Sequence, residues 1–139
     1  MYKHIEFMSQ MDMQYLPENQ NAIAISITGS TGNNIAVSEK FKDIIYLKFD
    51  NVENLHSRLK RFSQEDAIAI YNLVKRHEND AETIYVNCQM GQSRSAAVAL
   101  FLAQYYGLEM KQDTSQHIHI VYQFLKRVFQ REDKKTKEI

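Results

Sequence analysis

Cys88, Gly91 and Arg94 occur in the run Cys-Gln-Met-Gly-Gln-Ser-Arg, and Cys88 is the only cysteine in the chain. These residue types at this spacing can hold and attack a tetrahedral oxyanion. Backbone N–H groups of a tight turn, joined by the unpaired ones at a helix start, converge on one point and form an anion cradle. Gly91 lets that backbone curl closely because no Cβ stands in the way. Arg94 adds a planar, permanently charged fork that meets two oxygens of a phosphate, a geometry that lysine does not reproduce. The same positive potential favours thiolate over thiol at Cys88 and lowers its pKa from the free value of about 8.5. The expected phosphate-binding set is therefore the turn formed by Gln89, Met90, Gly91, Gln92 and Ser93, with Arg94 closing it. Against this stands the usual fate of a free cysteine, a small buried hydrophobe. The glycine and the arginine at fixed distances favour a reactive site.

The turn needs a strand before it and a helix after it. Residues 83–87 (TIYVN) form a short apolar strand, and SRSAAVALFLAQYY reads as a helix, apolar nearly all round, that Gly107 closes. Upstream, Ile23, Ile25 and Ile27 alternate with small residues over 22–28, as in a strand covered on both faces. The turn residues GSTGNN separate it from a second strand over 43–50, ending near Asp50. Ser63, followed by Gln64, Glu65 and Asp66, predicts a capped helix running to about His77, and Asp66 belongs to that helix start. A last helix is expected from near Thr114 and Ser115, with Ile118, Val121, Tyr122, Leu125, Val128 and Phe129 on one stripe. Residues 130–139 read as a fraying helix end or a solvated tail. A strand around HIEFM precedes Pro17, the only proline, which marks a break. Strands alternating with helices predict an α/β fold with a mainly parallel central sheet, whose ligand sites lie beyond the C-terminal strand ends. Asp50 and Cys88 both lie at such ends.

The bulk composition bounds the rest. A chain of 139 residues with 44% hydrophobic content fits a single domain, 1–139. Seventeen basic and seventeen acidic side chains leave no net field to favour nucleic acid or an anionic membrane. One cysteine allows no internal disulfide, so a cytoplasmic, reducing setting is expected, and no apolar run approaches the roughly 20 residues of a membrane span.

At CQMGQSRS the chain resembles the cysteine-dependent protein tyrosine phosphatase superfamily, whose signature is C-x5-R followed by serine or threonine. With AIAISIT, DIIYLKFDNV and SQEDAIAIYNLVK in the same order, it is similar to small bacterial tyrosine-phosphatase-like proteins over roughly residues 20 to 107. The resemblance implies Cys88 as nucleophile, Arg94 as the holder of the phosphoryl group and Ser95 as the hydroxyl that supports the sulfur. It also implies a phosphocysteine intermediate, no metal or organic cofactor, and as substrate a phosphorylated protein or a small phosphomonoester. Two positions depart from the pattern. Asn87 stands where the family usually has histidine and brings no positive charge. Asn51 stands where the family's general acid falls, which leaves Asp50, Glu53 or neither for that role, with Asp50 as the chosen candidate.

Other readings follow from the same residues. Ser95 reads equally as a polar residue of a first helical turn, and Asp50 as a strand-ending turn residue. His117 and His119, two apart, would point to different faces of a helix and make a poor metal pair. GSTGNN lacks the lysine of a nucleotide loop and reads as a connection that borders the pocket. The leading function is a tyrosine or dual-specificity phosphatase. The alternative is a catalytically weak phosphatase-like module that binds phosphorylated ligands. Thiol chemistry ranks last, since a reductase needs a resolving thiol.

Overall fold

The alternation in Ala22–Thr28 becomes a fully buried strand, with Ile23, Ile25 and Ile27 facing one layer and Ala22, Ala24 and Ser26 the other. Each completely buried isoleucine of this kind contributes about 1.5–3 kcal/mol of transfer free energy. The computed structural model describes residues 1–52 and 59–137. Strands β1 (His4–Ser9), β2 (Asn19–Thr28), β3 (Phe41–Lys48) and β4 (Thr83–Cys88) form one all-parallel sheet in the order β1-β4-β2-β3. This is the expected α/β class with a parallel central sheet flanked by helices.

Helices α2 (Gln64–Arg76), α3 (Arg94–Tyr106) and α4 (His119–Lys137) cover the isoleucine face. The other face is closed by the short helix α1 (Gln10–Tyr15) and by the segment carrying Ile35 and Val37. That second layer is thin, which is why β2 has alanine and serine there. None of the described helices is long and apolar enough to cross a membrane.

Local signals explain the helix ends. The Ser63 hydroxyl accepts from the Asp66 N–H at 3.1 Å, and the Asp66 carboxylate accepts from the Ser63 N–H at 3.0 Å, a complete capping box at the start of α2. Gly107, with φ +67°, ends α3 in the left-handed conformation.

Three features differ from the sequence expectation. α1 carries no sequence signal: it is six residues long and buries only Met13, too little to set up a period. α4 starts at His119 and not near Thr114, because Ile118 donates its N–H to the Ser93 carbonyl at 3.3 Å and residues 114–117 close a turn. The tail is helical to Lys137, and Asp133, one turn beyond Phe129, accepts from the hydroxyls of Tyr71 at 2.8 Å and Tyr105 at 2.6 Å. A carboxylate on the buried stripe, and not an apolar residue, docks this end of the helix; residues 138–139 lie outside the described residues.

The outer edge of β1 is also occupied. Gln112 accepts the Phe7 N–H at 2.8 Å and donates to the Phe7 carbonyl at 2.7 Å, pairing backbone groups that an edge strand otherwise leaves open.

Candidate active site

All four strands contribute their C-terminal ends to one region. Cys88 is the last residue of β4, and residues 89–93 bend back before α3 begins at Arg94. Gly91 adopts φ +71°, and a Cβ built on it would lie 2.3 Å from the Ser9 nitrogen and 2.5 Å from the Met8 carbonyl carbon. The turn is therefore seated directly on the end of β1, a fit that no residue with a side chain allows. The Gln10 N–H donates to the Gln89 carbonyl at 3.2 Å and ties the turn to the start of α1.

The sulfur lies inside this turn. The Gly91 N–H donates to Cys88 Sγ at 3.3 Å, and the Ser95 hydroxyl lies 3.1 Å from it. Burial pushes the Cys88 thiol up. The Ser95 hydroxyl, the Ser95 and Gly91 backbone N–H groups and the Arg94 charge together outweigh burial and hold the thiol below its ordinary range. Cys88 is only 2% exposed, but polar donors converge on its sulfur, which is not the environment of an inert core thiol.

Arg94 is buried and donates to the Phe49 carbonyl at 2.9 Å, just past the end of β3. This uses one of the guanidinium's five N–H donors. At the start of α3, Ser93 makes no side-chain cap, and the first-turn N–H of Ser95 is aimed at the Cys88 sulfur, whereas α2 is capped internally. Gln89, Met90 and Gln92 are exposed on the rim, and Ser95 is buried beneath the sulfur.

The structure thus brings together Cys88, the 89–93 turn, Arg94 and Ser95. Asp50 is placed next to this group but is already engaged. Its carboxylate accepts the Ser30 N–H at 2.9 Å, the Ser30 hydroxyl at 2.7 Å and the Lys60 N–H at 2.9 Å. The two Ser30 bonds, then the Lys60 N–H and the Arg94 charge, hold its carboxyl below the usual range. In this arrangement Asp50 fastens the segment after β2 to the segment after β3, and it would have to leave Ser30 and Lys60 to deliver a proton. Ser30, from GSTGNN, is the contributor that sequence reasoning did not single out; its serine-glycine context marked only a turn. Glu53 lies outside the described residues.

His117 and His119 have ring centroids 5.9 Å apart, with His117 in the turn before α4. No group of three or more potential metal ligands occurs among the described residues. On the thin side of the sheet, Ser26 Oγ, Thr28 Oγ1 and Asn87 Oδ1 are buried without hydrogen-bond partners. Such groups cost about 1–3 kcal/mol each when left unsatisfied.

No family model, curated protein or solved structure matches this chain.

Proposed function

We propose that the protein is a cysteine-dependent phosphatase that hydrolyses phosphotyrosine or related phosphomonoesters through a phosphocysteine. The observation that carries this reading is the sulfur of Cys88 set among the Gly91 N–H, the Ser95 N–H and hydroxyl and the Arg94 charge. In the first step the thiolate forms an S–P bond as the ester P–O bond breaks, and the leaving oxygen departs as a phenolate or takes a proton from water, or from Asp50 once that carboxyl is released from Ser30 and Lys60. Arg94 and the turn amides meet the charge on the equatorial oxygens. In the second step water attacks phosphorus and gives up a proton to solvent, the S–P bond breaks, inorganic phosphate leaves and the thiolate is restored. Ser95 stabilises sulfur as the departing anion. The residues that act are all supplied by the chain, in a reducing, cytoplasmic setting where Cys88 stays a thiol.

A second reading, a module that binds phosphorylated ligands with weak turnover, is favoured by the engagement of Asp50 with Ser30 and Lys60. Rapid-quench hydrolysis of p-nitrophenyl phosphate separates the two. A burst of p-nitrophenol equal to the enzyme concentration, lost in Cys88→Ser, supports the phosphatase. Phosphate-dependent thermal stabilisation without a burst supports the binding module. Absence of both removes the anion-site reading altogether.

A further inference from the structure

Across the thin face of the sheet, Met8, Asn87, Ser26 and Tyr46 form one row, paired strand to strand. Ser26 and Asn87 are completely buried neighbours, and each carries an oxygen without a partner. Asn87 immediately precedes Cys88, and its Nδ2 points at the Cys88 carbonyl from 3.5 Å, the outer limit of a hydrogen bond. A buried hydroxyl beside a buried amide oxygen, both unpaired, is a costly arrangement for a sequence to retain, and a bond donated by the one to the other would satisfy both.

The pairing would act on the turn through peptide geometry. In a trans peptide the C=O and the following N–H point in opposite directions. Holding the Cys88 carbonyl from the sheet side therefore fixes the Gln89 N–H on the opposite side, and the Gln10 N–H, by holding the Gln89 carbonyl, does the same for the Met90 N–H. We propose that Ser26 is a positioning residue for the Cys88 turn: its hydroxyl donates to Asn87 Oδ1 and locks the Asn87 amide against the Cys88 carbonyl. This rests on the reading of Cys88 as an anion-site thiolate. The charged group that acts on the sulfur is Arg94, and Ser26 acts only by shaping the turn around it.

The test is the pH profile of Cys88 alkylation by iodoacetamide, with thermal midpoints measured alongside. Ser26→Ala is expected to move the midpoint of the profile up by about half to one pH unit, slowing alkylation roughly three- to tenfold below the midpoint. Asn87→Ala should shift it likewise, and the double variant no further than Asn87→Ala alone, because one residue works through the other. Thr28→Val removes a neighbouring unpartnered hydroxyl that is out of register with Asn87, and should leave the profile in place. A Ser26→Ala profile identical to wild type, or a shift that adds in full to that of Asn87→Ala, overturns the proposal. A wild-type profile like that of a free thiol would instead sink the anion-site reading itself.

Discussion

The guanidinium of Arg94 and the backbone carbonyl of Phe49 meet at 2.9 Å across 45 positions of sequence. This bond joins the helix that follows the cysteine turn to the end of β3, so the charge that faces the sulfur is aimed by a strand on the far side of β2. Phe49 is itself completely buried and packs edge-to-face on Phe62 at 4.9 Å, which makes its carbonyl a firm anchor.

Arg94→Lys keeps the charge and loses the fork. A lysine that still reaches Phe49 has no second planar donor for an equatorial oxygen. Turnover of p-nitrophenyl phosphate is expected to fall by about a hundredfold or more with little change in thermal midpoint. Retention of most of the activity would show that the turn amides do this work alone.

Asp50→Asn separates the roles of fastener and proton donor. A carboxylate held ionised by Ser30 and Lys60 does little to protonate a leaving group near neutral pH. The variant should therefore slow hydrolysis of p-nitrophenyl phosphate and of an alkyl phosphate by the same factor, within about threefold, because loosening the segment whose Phe49 carbonyl anchors Arg94 affects both esters equally. A loss confined to the alkyl ester, whose leaving group needs a proton, would assign the acid role to Asp50.

Gly91 and Gly107 have almost the same positive φ and opposite surroundings. A Cβ at Gly107 meets nothing within 4 Å, whereas at Gly91 it collides with the end of β1. Gly107→Ala is expected to lower stability by about 1 kcal/mol. Gly91→Ala should lower it by more and abolish phosphate binding, because either the turn or β1 has to move. Thermal unfolding with and without phosphate checks both.

The Cys88 thiol gives stability a defined pH dependence. Its folded-state pKa lies below that of the unfolded chain, so its contribution is present in full above the unfolded value of about 8.5 and is lost as pH falls through the folded one. The difference in unfolding free energy between wild type and Cys88→Ser should therefore shift in favour of wild type as pH rises from acid toward 9. A flat difference would mean that the thiol is not perturbed by the turn.

Much of this architecture was legible because its causes are local. The Ile23, Ile25 and Ile27 alternation, the Ser63 and Asp66 cap, the Gly107 stop and the Cys88 turn each lie within one short segment. What stayed hidden depends on partners far away in sequence. Nothing near Asp50 announces that Ser30, 20 positions earlier, will occupy its carboxylate. The late start of α4 depends on the Ser93 carbonyl. Asp133 reads as part of a charged tail because the hydroxyls that engage it, on Tyr71 and Tyr105, lie 62 and 28 positions away.

The place of β4 between β1 and β2 has a consequence for assembly. β1 and β2 are synthesised before the rest of this sheet but do not pair with each other; the slot between them is filled by β4, made much later, and that latecomer carries Cys88. A nascent chain truncated before Thr83 has neither a complete sheet nor the platform on which Gly91 rests. Splitting the gene between residues 52 and 59 should likewise yield two inert fragments, with any chemistry returning only when the fragments are combined.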